Sequence, residues 1–184
     1  METRDLRAET QTGERGAADF RALYAQHGDR VYRFCFRLCG QAAEAEDLTQ
    51  DVFIAAWQGL GRFEGRSSAL TWLLRIALYR WRRVRGERRT AAPDDRALEA
   101  ADDHADPARI GLRRLSLAAA LAELPDDLHD AFLLVKAEGL KYREAAQVLD
   151  TPQGTVQWRV SEAARRLRLL LTDSEDQEEI HHAL

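Results

Sequence analysis

The stretch KYREAAQVLDTPQGTVQWRVSEAARRLR, residues 141–168, decides how the second half of the chain folds. Tyr142, Ala145, Ala146 and Leu149 share one face at helical spacing. Asp150 follows where the chain needs a left-handed residue, a conformation aspartate tolerates better than most non-glycine residues. Thr151 is placed to cap the next helix, and Pro152 suits its first position. Val156, Val160, Ala163, Leu167 and Leu170 then form a buried stripe. Ala146, Asp150 and Val156 thus take the small, turn and apolar positions of a helix-turn-helix. A helical hairpin with solvated arginines is the plainer alternative. Turn, caps and stripe agreeing together favour the helix-turn-helix.

The other face of the last helix displays Gly154, Trp158, Ser161, Glu162 and Arg165. A face of this kind can lie in a major groove and touch base edges. Arg159, Arg165, Arg166 and Arg168 are available for phosphates. Glu162 is unusual on such a surface. It either accepts from cytosine N4 or points away from DNA.

Upstream, Leu112, Leu115, Ala119 and Ala122 mark a helix interrupted by Pro125. Leu128, Phe132 and Val135 mark the next, with Gly139 as its stop. Before these, residues 90–108 carry Pro93, Pro107 and a run of Asp and Glu with no apolar period, which reads as a flexible acidic linker. Module two is therefore placed at 109–172 and an acidic tail at 173–184.

The first half, residues 20–89, is also helical. Phe20, Leu23, Tyr24, Val31, Phe34, Cys35 and Leu38 space a first helix that ends at Gly40, preceded by a flexible arm at 1–19. A second helix is predicted over 43–60, a loop over 61–68 and a third helix over 69–85. On the third, Leu70, Leu73, Leu74, Ala77, Trp81 and Val84 form an apolar stripe. Trp72, Arg75, Tyr79, Arg82 and Arg83 form a basic-aromatic one, extended by Arg80, Arg85, Arg88 and Arg89. Arginines suit phosphates, and rings offer stacking worth roughly 1–3 kcal/mol per base. The net charge of −4 therefore hides a basic segment followed by an acidic one. On the second helix Asp47, Gln50, Asp51, Ile54 and Gln58 line one face. Leu48, Val52, Ala55 and Ala56 line another. The acidic face fits a partner surface or plain solvent equally well.

The expected fold is all-α, with two small helical domains and no strand pattern. The 184 residues contain no apolar run of membrane-spanning length, and Met1–Gly16 lacks a signal-peptide core, so membrane insertion is not expected and a cytoplasmic protein is. No phosphate loop, nucleophile–base set or metal cluster is evident. No enzyme activity, cofactor, metal or small-molecule substrate is expected. The five histidines are scattered, and Cys35 and Cys39, one helical turn apart, read as inert thiols, with redox sensing as the alternative.

EAEDLTQDVFIAAW (Glu44–Trp57) and RFEGRSSALTWLLRIA (Arg62–Ala77) closely resemble region 2 of bacterial sigma factors of the extracytoplasmic-function (ECF, group 4) class. ALAELPDDLHDAFLLVKAEGLKYREAAQVLDTPQGTVQWRV (Ala120–Val160) resembles region 4 of that class. Two blocks in the right order and spacing are more specific than either alone, and the linker leaves no room for a folded region 3. The resemblance implies a subunit that binds core RNA polymerase, recognises the −35 and −10 elements of promoter DNA, starts melting and answers to an anti-sigma factor.

It implies that Asp47, Leu48, Gln50, Asp51 and Phe53 bind the polymerase. It places Arg62, Phe63, Ser67, Ser68, Trp72, Arg75, Tyr79 and Arg83 at −10 DNA, and Thr155, Gln157, Trp158, Arg159, Ser161, Glu162 and Arg165 at −35 DNA. The chain departs from the pattern at Lys141, where Ser or Thr often caps, and at Asp150, where glycine is frequent. Trp158 stands at a usually small position and Glu162 at a usually basic one. Asp126 and Asp127 follow Pro125 where basic or neutral residues are frequent. The departures bear on which −35 sequence is read. Two other readings are a conventional helix-turn-helix regulator acting without polymerase, and a sigma-like module that titrates polymerase or a regulator.

Overall fold

The structure, a computed structural model, describes the backbone of residues 3–91 and 117–182 and the side chains of residues 17–86 and 117–171. Among the described residues the regular elements are helical. The chain divides into two compact units, Met1–Pro93 and Asp94–Leu184. The acidic linker expected at 90–108 lies almost wholly outside the described residues.

The first unit holds three helices: α1 (Thr3–Cys39), α2 (Ala42–Gly59) and α3 (Ala69–Ala91). A 3₁₀ turn, Leu60–Arg62, leads out of α2. The chain leaves α1 through Gly40 at φ 75°, whose N–H reaches the Phe36 carbonyl at 2.8 Å, so the predicted stop holds. α1 begins earlier than the spacing predicts. The arm expected at 1–19 is helical from Thr3: it carries no proline, and Gly13 and Gly16 lower its helix propensity without ending the helix. The core is formed by one stripe from each helix. Val31, Phe34 and Cys35 of α1 meet Val52 and Ala56 of α2 and Leu73, Leu74, Ala77 and Leu78 of α3, all essentially without solvent contact. Leu78 belongs to this core although the predicted stripe omitted it.

The second unit contains a helix described over 117–122 (α4), α5 (Asp126–Phe132), α6 (Tyr142–Leu149) and α7 (Gln153–His182). α5 runs into a π-helical turn, Leu133–Ala137, which ends at Gly139, φ 66°. The Glu138 N–H bonds the Leu133 carbonyl at 2.9 Å, and Leu140 N–H that of Leu134 at 3.0 Å, wider closures than an α-turn. Ala120, Leu124 and Leu128 pack with Ala163 and Leu167 of α7, sealed by half-buried Leu121, Phe132 and Leu170. α7 continues to His182, so the tail expected at 173–184 is helical over most of its length; no Pro or Gly follows Gly154 to stop it.

The turn between α6 and α7 follows the predicted chemistry at Asp150 and departs from it at Thr151. Asp150 sits at φ 51°, ψ 49°, the left-handed conformation. The Thr151 hydroxyl does not cap α7; it donates back to the Leu149 carbonyl at 3.1 Å. The Pro152 carbonyl takes the first amides of α7 instead, from Thr155 at 3.0 Å and Val156 at 3.2 Å. Pro152 thus stands just before the helix rather than inside it. At the start of α6, Lys141 has no acceptor to offer, but the Glu144 carboxylate accepts its backbone N–H at 2.8 Å, which keeps one half of a capping box.

Candidate nucleic-acid and polymerase interfaces

In the second unit the helix-turn-helix buries most of the predicted faces. Val156, Val160, Ala163 and Leu167 are buried on α7, with Leu170 half-buried. Ala145 and Leu149 are buried on α6 together with Val148, which the predicted face omitted, while Tyr142 and Ala146 are half-buried. Opposite them, Gln157, Trp158 and Ser161 are exposed, Trp158 at 62%. Thr155 is half-buried at the start of the helix. This is a row of side chains, not a cleft, as groove insertion requires.

The arginines of this row are not simply available. Arg159 Nη2 donates to Asp127 Oδ2 of α5 at 2.6 Å. Arg165 grips Glu162 with two bonds, Nε to Oε2 and Nη2 to Oε1, both 2.8 Å. Arg166 Nε adds a third to Oε1, also at 2.8 Å. These bonds hold the Glu162 carboxyl down at about 2, far below the ordinary carboxylate range, and hold the Arg165 guanidinium up. Glu162 therefore faces its own arginines rather than standing open to cytosine N4. Arg168 Nε donates to the Ala164 carbonyl at 3.2 Å. Asp127, a departure at the sequence level, has its reason here as the partner of Arg159.

In the first unit, α3 turns its apolar stripe inward and leaves Arg75, Tyr79, Arg82 and Arg83 exposed, Tyr79 at 69%. Trp72 stands apart from them. Its ring stacks on Phe63, with centroids 4.7 Å apart and planes 28° from parallel. It also passes so close to Gly59 that a β-carbon there would lie 3.2 Å from Cζ2. Both Trp72 and Phe63 are thus half-buried on each other instead of open to bases.

Ser68 caps α3. Its Oγ accepts the Thr71 N–H at 3.1 Å and lies 2.7 Å from the buried Thr71 hydroxyl, while its carbonyl takes the Trp72 N–H at 3.1 Å. The expected base contact at Ser68 therefore competes with a cap, a role the S-x-x-T spacing could have signalled. Arg62 is exposed at the end of the 3₁₀ turn and Ser67 is half-buried beside Ser68. Arg66 pairs with Glu64 in the same loop.

Of the five residues expected to meet polymerase, α2 exposes Asp47, Gln50 and Asp51. Leu48 and Phe53 do not share that face. They are 7% and 4% exposed, because the helical period turns them into the core, where Phe53 meets Tyr24 edge to face at 4.7 Å. Ile54 and Trp57 are instead half-exposed on α2, with Phe20 against the Trp57 ring at 5.1 Å. Asp51 Oδ2 accepts from Arg80 Nη1 of α3 at 3.3 Å, joining the acidic and basic faces.

Two family models match this chain: Sigma-70 region 2 over residues 23–90 and Sigma-70, region 4 over residues 114–167, together more than half of its length. The RNA polymerase sigma-H factor of Pseudomonas aeruginosa is 35% identical over 170 residues, covering 83% of this chain and 85% of that protein. The ECF RNA polymerase sigma factor SigC of Mycobacterium tuberculosis is 39% identical over 153 residues, covering 79% and 77%. The chain belongs to the ECF class of the sigma-70 family.

The fold agrees with solved sigma factors. One similar structure is the sigma factor RpoE of Bartonella quintana in complex with the anti-sigma factor NepR, with TM-score 0.69 and 29% identity over 84% of this chain and 97% of that one. Another is CnrH in complex with the cytosolic domain of CnrY, with TM-score 0.65 and 27% identity over 84% and 88%. α2, the 3₁₀ turn and all but the last residue of α3 lie within the region 2 match. α5, α6 and the start of α7 lie within the region 4 match. Among the described residues no group of three His, Cys, Asp or Glu side chains could hold a metal, and no helix is long and apolar enough to cross a membrane.

Proposed function

We propose that this ECF sigma factor is a dissociable specificity subunit. It binds core RNA polymerase through the exposed acidic face of α2, with Asp47, Gln50 and Asp51 as the contacts and Leu48 and Phe53 as the buried side chains that set their orientation. The start of α7 docks on the −35 duplex, with Gln157, Trp158 and Ser161 at base edges. Arg75, Tyr79 and Arg83 of α3, with Arg62 and Ser67 of the preceding loop, hold unpaired −10 bases, and Trp72 and Phe63 set the position of that loop. Capture of single-stranded −10 DNA offsets an unstacking cost of a few kcal/mol, so melting needs no nucleotide hydrolysis and the protein is not an enzyme. Such a subunit works in the cytoplasm beside polymerase. The RpoE–NepR complex supports an anti-sigma factor as a further partner.

The single observation that carries this reading is the pairing, on one chain, of a region 2 block with a two-faced α3 and a region 4 block with an exposed α7 row. Footprinting on the promoter upstream of its own gene tests it. With core polymerase, protection at −35 and permanganate-reactive thymines at −10 are expected. Duplex protection by the chain alone, unchanged by polymerase, would support the conventional regulator instead. Binding to core with no promoter opened would support the titrating module.

A further inference from the structure

The recognition helix carries its own counter-charges. Glu162 takes three hydrogen bonds from Arg165 and Arg166, and Asp127 reaches from α5 to take Arg159 at 2.6 Å. These are three of the cations that a phosphate backbone would otherwise attract, and the carboxylates come from two different helices of the same module. In the sequence the two latches interleave with the base-edge row: Arg159 follows Trp158, and Glu162 follows Ser161.

We propose that Glu162 and Asp127 act as an intramolecular brake on phosphate binding, and so as specificity-determining residues of module two. The proposal rests on the reading of α7 as the helix that enters the −35 duplex. Non-specific affinity for DNA comes almost entirely from arginine and lysine neutralising phosphates and releasing condensed counterions. An arginine already held by a carboxylate must give up that partner before it takes a phosphate, so its contribution shrinks on every DNA sequence alike. Base-edge contacts from Gln157, Trp158 and Ser161 do not pass through the latch and keep their full value. The ratio of specific to non-specific binding rises, while the total affinity of the free chain falls. With a net charge of −4, the whole molecule leans the same way. Release of the free protein from arbitrary DNA then leaves it available to polymerase.

The position of Glu162 makes the latch a matter of register. A carboxylate at 162 reaches 165 and 166 because residues three and four apart are neighbours on a helix. The three bonds to its own arginines occupy most of the acceptor capacity of Glu162 and leave little of it for a base. Asp127 holds Arg159 from outside α7, its carboxylate coming from the first turn of α5.

The test is fluorescence anisotropy with the full chain, on a random-sequence 30-bp duplex and on a duplex of the promoter upstream of its own gene, over a series of salt concentrations. Wild type is compared with Glu162→Gln and Asp127→Asn, and with Glu123→Gln, which removes the same charge on a different element. Both latch variants are expected to bind the random duplex about three- to tenfold more tightly, with the slope of log affinity against log salt steeper by about one unit per arginine released. The promoter duplex should gain less, so the specificity ratio drops, and Glu123→Gln should move neither slope nor ratio. If the wild type binds duplex and both latch variants keep its affinity and slope, the brake is overturned while α7 remains the reader. If no variant binds either duplex, the reading of α7 falls and the brake with it.

Discussion

Phe63 and Trp72 lie ring on ring, 4.7 Å between centroids, and this stack ties the loop after α2 to the first turns of α3. Gly59 leaves the space that lets the indole approach. The loop that would receive a −10 base is thus held at its base by an aromatic pair and at its end by the Ser68 cap.

Trp72→Ala is expected to lower the stability of the first module by about 1–3 kcal/mol, from lost ring contact and a half-buried void. Promoter opening should fall more than stability alone predicts, because the loop loses its anchor, and Trp72→Phe should restore most of both. Thermal melting and 2-aminopurine fluorescence at −10 read the two effects. A Trp72→Ala protein that opens promoters at the wild-type rate contradicts the anchoring role.

Asp51 stands exposed on α2 with Arg80 at 3.3 Å. Replacing it by arginine removes the carboxylate and sets two like charges together. Stability should change by less than about 1 kcal/mol, as for other exposed pairs. Affinity for core polymerase should drop tenfold or more, on the order of 1.4 kcal/mol. Co-elution with core polymerase measures this, and retained binding would remove α2 from the proposed interface.

Asp150 occupies the left-handed region at φ 51°. Asp150→Gly should leave the helix-turn-helix intact and raise its stability by a few tenths to about 1 kcal/mol. Asp150→Val should lower it by more than about 1 kcal/mol, since a β-branched residue is strained there. Equal melting temperatures for the two variants would contradict the geometry of the turn.

Burial in the first core pushes the Cys35 thiol up to about 11 from its ordinary 9.0, with a hydrogen bond to Thr49 offsetting part of the shift. The folded state therefore keeps a proton that the unfolded state loses. Stability from this group is complete below about pH 9 and declines as pH rises toward 11, by on the order of 2 kcal/mol. Cys35→Ala should flatten that decline, as read by denaturant melts across pH 8 to 11. A thiol reagent at pH 8 should label half-buried Cys39 first and reach Cys35 only on unfolding.

Periodicity made the helices legible, and turn chemistry made their junctions legible. Gly40, Gly139 and Asp150 could be assigned because a positive φ narrows the choice of residue. α6 falls at Tyr142–Leu149 as predicted. The outer ends of α1 and α7 were not legible, because no breaker marks where a polar segment stops being helical. At the sites, the residue types were readable but not their partners. Spacing left Glu162 between cytosine N4 and solvent, although its offsets of three and four residues to Arg165 and Arg166 could have signalled the clamp. It could not show Asp127 reaching Arg159, which depends on how α5 packs on α7. Spacing had set Leu48 on a different face from Asp47, Gln50 and Asp51; it was the family likeness that grouped Leu48 and Phe53 with the exposed acidic residues of α2.

The most direct test is in vitro transcription with purified chain and core RNA polymerase on the promoter upstream of its own gene. A discrete transcript that requires the chain, disappears with Asp51→Arg and shifts its −35 preference with Trp158→Ala is the predicted result. A chain that shifts duplex DNA while giving no transcript and no binding to core polymerase would contradict the account.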